Sequence, residues 1–187
     1  WMANEARKVL PNESYSAKMF DFVNENYQNN IPWEQTRNEL YQRYQVEQQD
    51  GYNITSKNLY CNGCFAAGIN FGASIISLLY GEGDLKETIR IGTLAGWDSD
   101  NPTATWGGLL GFMLKKEGVE KAFNQKFSDK YNIHRTRINF PNNGIFSFKE
   151  MAQVGVYIVD RVVQEELHGG INLELDLWYI PTLELNN

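Results

Sequence analysis

Residues 59–80 limit what this chain can fold into more than any other stretch of it. Phe65, Ile69, Phe71, Ile75, Ile76, Leu78 and Leu79 alternate there with Gly63, Ala66, Ala67, Gly68, Gly72 and Ala73. A helix that is apolar on nearly every side has to be buried. Each interior glycine costs about 1 kcal/mol relative to alanine, so repeated glycines make sense where neighbouring backbones come close. The run predicts a central helix enclosed by other elements.

The remaining segments read as further helices, with few strand signals. Ser14 or Ser16 can cap a helix carrying Met19, Phe22, Val23 and Tyr27 on one face, ended by Asn29-Asn30. Pro32 suits the first turn of the next, with Trp33, Leu40, Tyr41 and Tyr44. Residues 46–58 are polar and read as an exposed loop. Gly81-Glu82-Gly83 breaks the central helix, and Asp84 caps another running to about Gly96, with Leu85, Ile89 and Leu94 inward. Pro102 places Asp100 or Asn101 at the N-cap of a helix through Trp106, Leu109, Leu110 and Met113 that stops at Gly118. Ser147-Phe148-Lys149-Glu150 is a capping box, opening a helix with Val154, Ile158 and Val162 that Gly169-Gly170 stops. From Ile171 to Ile180, Leu173, Leu175 and Leu177 alternate with Glu174 and Asp176, as in a short strand. No repeat or linker divides the chain, so the expected fold is all-α, a single domain over residues 1–187 with one short C-terminal strand.

A net charge of −6 argues against a nucleic-acid binder whose affinity rests on neutralising phosphates. No segment reaches the roughly 18 consecutive apolar residues of a membrane span, and no basic start followed by an apolar run marks a signal peptide. Asn12-Glu13-Ser14 and Asn53-Ile54-Thr55 match the glycosylation triplet, but such triplets arise by chance in Asn-rich chains. Both cysteines sit in Cys61-Asn62-Gly63-Cys64. A zinc site needs more ligands than these, and the two histidines, His134 and His168, lie far along the chain. A thioredoxin-like site needs a βαβ pattern that is not found. The expectation is two small buried side chains on the central helix.

Chemistry concentrates at Trp97-Asp98-Ser99-Asp100-Asn101-Pro102. Two carboxylates this close at a helix entrance repel each other. A hard divalent cation relieves that conflict by binding carboxylate, amide and hydroxyl oxygens, and Ser99 and Asn101 add candidate oxygens. The same residues also fit a plain cap, with negative charge placed at the positive end of a helix. An EF-hand loop is excluded, because Pro102 and Thr103 fall where that loop needs a ligand and a glycine.

Residues 92–111, Gly-Thr-Leu-Ala-Gly-Trp-Asp-Ser-Asp-Asn-Pro-Thr-Ala-Thr-Trp-Gly-Gly-Leu-Leu-Gly, resemble the C-terminal signature of the ADP-ribosylglycohydrolase family. That signature is a glycine and an Asp-Thr/Ser-Asp-Thr/Ser run, followed by a small-residue helix ending in Gly-x-x-x-Gly. The preceding Leu78-Leu79-Tyr80-Gly81-Glu82-Gly83-Asp84-Leu85 matches the family's order. The likeness is strong over 59–118 and loose over the rest of residues 1–125.

The resemblance implies an all-α fold holding two Mg²⁺ ions between two acidic motifs. Carried over by position, the metal ligands are Asp98, Asp100 and Asn101, with Ser99 and Thr103 as outer support. It also implies an activity, the Mg²⁺-dependent hydrolysis that removes ADP-ribose from a modified protein side chain or a small ADP-ribosyl conjugate. Asn101 departs from the family's hydroxyl at its position, and Trp97 is bulkier than the small residue usual beside the first Asp. The family's N-terminal Gly-Asp-rich and Thr-Asp-Asp-Thr motifs, which supply the other ligands and an acidic catalytic residue, are not found here. With the opening Trp1-Met2-Ala3-Asn4, this leads to the expectation of the C-terminal portion of a longer domain, its N-terminal segment missing. The alternative is a non-enzymatic, crystallin-like or binding relative that keeps the fold. Two further groups invite attention. His134, Arg135 and Arg137 could meet a pyrophosphate but read more simply as a solvated loop, and Trp97 and Trp106 could stack on adenine but read more simply as core packing.

Overall fold

The computed structural model describes residues 1–53, 63–133 and 139–182. It is mostly helical, and the chain divides into two compact units, Trp1–Gln125 and Lys126–Asn187. Nothing in the composition of Asn124-Gln125-Lys126 marks that boundary.

Among the described residues the first unit contains six α-helices: α1 (Met2–Arg7), α2 (Tyr15–Gln28), α3 (Trp33–Leu40), α4 (Ala67–Gly81), α5 (Leu85–Ala95) and α6 (Asp100–Phe123). Local chemistry sets several of their ends. The Ser14 hydroxyl accepts from the Ala17 N–H at the start of α2, and the Asp84 carboxylate accepts from the Glu87 N–H at the start of α5. These bonds satisfy N–H groups that a helix start leaves without an intrahelical partner. Glu82 and Gly83, with φ of 49° and 81°, end α4 in a left-handed turn.

The central helix is α4, which packs against α2, α3, α5 and α6. It starts later than the pattern suggested. Residues 63–66 form a turn ahead of Ala67, and residues 54–62 lie outside the described residues. Cys64 is disulfide-bonded in that turn, so it is not the helix-borne side chain expected. Cys61, the chain's other cysteine, lies outside the described residues. The glycines of α4 do permit close approach. A Cβ on Gly72 would stand 2.7 Å from the Leu40 side chain and 2.9 Å from Met19. Around α4 the core gathers Met19, Val23, Leu40, Tyr44, Ile69, Ile76 and Ile91.

Gly81 lets α4 and α5 approach closely. A Cβ there would overlap the Thr88 hydroxyl and come within 2.8 Å of the Thr88 Cα on α5. Backbone cannot step aside as a flexible side chain can. Gly81→Ala is therefore expected to destabilise the chain by about 1–3 kcal/mol, outweighing the gain in helix propensity. Its urea midpoint should fall while the slope stays constant.

Tertiary packing overrides several sequence expectations. Helix α3 continues through a π-helical turn, Tyr41–Val46, and Tyr52, placed in an exposed loop by its polar neighbours, is buried. Its ring meets Tyr44 edge-on at 5.8 Å and covers Gly68. On α5 the buried stripe is Leu85, Thr88, Ile91, Gly92 and Ala95, and Leu94 is exposed. Ser99, not Asp100 or Asn101, is the N-cap of α6. That helix runs past Gly118 to Phe123 with a break at Lys115 (φ 57°, ψ 175°). Gly118 keeps the second segment close to the first, since a Cβ on it would lie 2.9 Å from the Leu114 Cβ.

The second unit contains α7 (Phe148–Glu165) and two antiparallel pairs, β1 (Lys130–Asn132) with β2 (Ile145–Ser147) and β3 (Gly170–Asn172) with β4 (Leu177–Tyr179). The capping box opens α7 as expected, Ser147 accepting from the Glu150 N–H and the Glu150 carboxylate accepting from the Ser147 N–H. The β1–β2 pair was not foreseen. Its strands are three residues long, too short for alternation to show. Residues 171–180 form a hairpin instead of one strand, because Asp176 (φ 53°) reverses the chain. The Trp178 indole donates to Asp160 on α7. Val154, Ile158 and Val162, spaced along α7, are exposed.

Candidate metal centre

The α5–α6 connection is a short, strained reversal. Gly96 (φ 97°) and Trp97 (φ 56°) both take left-handed backbone, which costs a bulky residue energy that contacts must return. The Trp97 ring stacks on Tyr41 of the π-helical turn, centroids 6.4 Å apart. Asp98 follows directly, then Ser99 and the first residues of α6.

The carboxyl groups of Asp98 and Asp100 are close enough to share a hydrogen bond. That bond, with partial burial and the Asp100 charge behind it, raises the Asp98 pKa above its ordinary value. Neither carboxylate serves as a cap, for α6 begins without a side-chain cap bond. Thr103 donates its hydroxyl to the carbonyls of Ser99 and Asp100, and Thr105 donates to the Asn101 carbonyl. These bonds tighten the first turn of the helix and draw on neither carboxylate.

Asp98 and Asn101 line one cavity of about 380 Å³ together with Asn70, Ser74, Thr105 and Trp106. Phe65, Phe71 and Ile75 give it an apolar side. A mostly apolar wall with a few converging polar groups, at this size, is the usual form of a small-molecule site. Asp100 does not line the cavity and joins it only through Asp98. The Trp106 indole donates to the Ser74 carbonyl at 2.7 Å, so Trp106 forms a fixed wall, whereas Trp97 is occupied by Tyr41.

The structure thus brings Asp98, Asp100 and Asn101 to one helix entrance. Their oxygens are hard donors of the kind Mg²⁺ takes, but the set is incomplete. Among the described residues no group of three or more His, Cys, Asp or Glu side chains could hold a metal ion. The His134–Arg137 segment lies outside the described residues.

Asn70 was missed from sequence. It is buried on α4, donating its amide to the carbonyls of Cys64 (2.8 Å) and Ala66 (3.0 Å) and accepting from the Asp98 N–H (3.0 Å). The signal was present, a carboxamide in an otherwise apolar run, since a buried polar group needs partners. Which partners it finds is a tertiary fact.

Comparisons of the chain with models of protein families, with curated proteins and with solved structures find no match.

Proposed function

We propose that this chain carries one half of the metal centre of an ADP-ribosylglycohydrolase-like hydrolase, which removes ADP-ribose from a modified protein side chain or a small ADP-ribosyl conjugate. Asp98, Asp100 and Asn101 would hold Mg²⁺, with two ions expected in the complete site. The observation that carries this reading is a pair of carboxylates pressed together at the start of α6, neither used as a cap and one opening into a cavity. It is supported by the family-like run over residues 92–111 and by the central small-residue helix beside it.

Bound Mg²⁺ would supply positive charge where the glycosidic bond polarises. The chain's own part is positional. Asp98 and Asn101 stand at the cavity wall, while Phe71, Ile75 and Trp106 exclude water from one side of it. Among the described residues no group of three or more His, Cys, Asp or Glu completes the set. That incompleteness is also what favours the second reading, a non-enzymatic relative that keeps the fold without hydrolysis.

A thermal scan separates the two. Free Mg²⁺ at a hundredfold excess over its dissociation constant should stabilise the complete protein by about 2.7 kcal/mol, and that protein should release ADP-ribose from an ADP-ribosylated protein only with the metal present. Mg²⁺ stabilisation without release supports the non-enzymatic reading, and no response to Mg²⁺ removes the metal assignment.

A further inference from the structure

Asn70 does more than satisfy itself. Its two carbonyl partners, Cys64 and Ala66, lie on one side of the carboxamide and the Asp98 N–H on the other. Turning the amide over would set its oxygen against two carbonyls and its NH₂ against an N–H, so the network admits one orientation. The side chain is 5% exposed, leaving little water to compete for these bonds. At the other side of the same residue, the Asp98 carbonyl accepts from the Asn101 N–H at 3.0 Å. The Asp98 backbone is therefore gripped at both ends, one grip coming from α6 and the other from a helix 28 residues earlier. Between Gly96 and Ser99 the chain makes no regular helix, so nothing local would fix this peptide otherwise.

We propose that Asn70 is the positioning residue of the acidic pair: by holding the Asp98 peptide against α4 it sets the direction in which the Asp98 carboxylate leaves the backbone. Its amide group is engaged by Cys64, Ala66 and the Asp98 N–H and would ligate no cation in this role. The link to Mg²⁺ rests on the metal reading above, but the grip on Asp98 does not, and the two can be tested apart.

The grip is read from hydrogen exchange of the Asp98 amide, followed by NMR on the full 187-residue chain without metal. In the wild type this amide should be protected, and in Asn70→Ala its protection should fall about tenfold or more, the scale of one lost hydrogen bond. Asn70→Asp, at a pH low enough to keep the buried carboxyl protonated, keeps an oxygen for the Asp98 N–H and a hydroxyl donor for one of the two carbonyls, so it should restore protection at Asp98. A merely structural role for Asn70, confined to the turn, predicts no such rescue. The second readout is Mg²⁺ affinity by calorimetry, which Asn70→Ala should weaken about tenfold, as loss of an outer support does. An unprotected Asp98 amide in the wild type overturns the inference even if the alanine variant fails to fold. So does an Asn70→Ala chain with unchanged Asp98 exchange. A wild type that ignores Mg²⁺ but shows the exchange pattern overturns the metal reading and leaves the grip standing.

Discussion

In the complete protein, Asp98→Asn and Asp100→Asn are each expected to abolish the stabilisation by Mg²⁺ and to lower ADP-ribose release by at least about a hundredfold, the equivalent of roughly 3 kcal/mol of lost charge stabilisation. The substitution keeps the size of the side chain and one oxygen, so it isolates charge. Without metal the fold should not suffer. The Asp98 pKa is raised in the folded chain by its bond to Asp100, so between the ordinary and raised values the folded state binds more protons than the unfolded one. Stability then falls as pH rises through that window, and at neutral pH the pair opposes folding. Removing one charge removes the opposition, and the metal-free melting temperature of either variant at neutral pH should equal or exceed that of the wild type. A cap would behave differently, because Asn caps about as well as Asp and Mg²⁺ would then be irrelevant to all three proteins. Scanning calorimetry with and without Mg²⁺ decides it, and equal responses in the wild type and both variants would sink the metal assignment.

Ile76→Ala should cost about 2–5 kcal/mol, a large share of the stability of a chain this size. Ile76 is fully buried on α4, in one cluster with Met19, Leu40, Tyr44, Ile69 and Ile91. Four helices surround α4, so the site has little freedom to collapse onto the lost methyl groups, and a cavity remains. Leu94→Ala is the control. Its spacing on α5 had suggested an inward position, but it is 52% exposed, and its loss should stay within about 0.5 kcal/mol. Urea unfolding followed by circular dichroism measures both. Comparable losses for the two would contradict the orientation of α5 described above.

The starts of α2, α5 and α7 and the identity of the central helix were legible from the sequence alone. Ser14, Asp84 and the Ser147–Glu150 box act through bonds that span three residues, and the small-residue pattern of α4 is local to it. The acidic pair was legible for the same reason, since Asp98 and Asp100 are two apart on any backbone. Tertiary structure alone decided that Tyr52 is buried against Gly68, that Leu94 faces out where Ile91 faces in, and that residues 130–132 pair with 145–147. It also decided that Asn70 reaches Asp98 across 28 residues. Caps and periodicity are fixed by neighbours along the chain, whereas these contacts depend on which surfaces meet once the helices pack. That is why the sequence named the carboxylates of the candidate site, and only the packed structure showed what holds one of them in place.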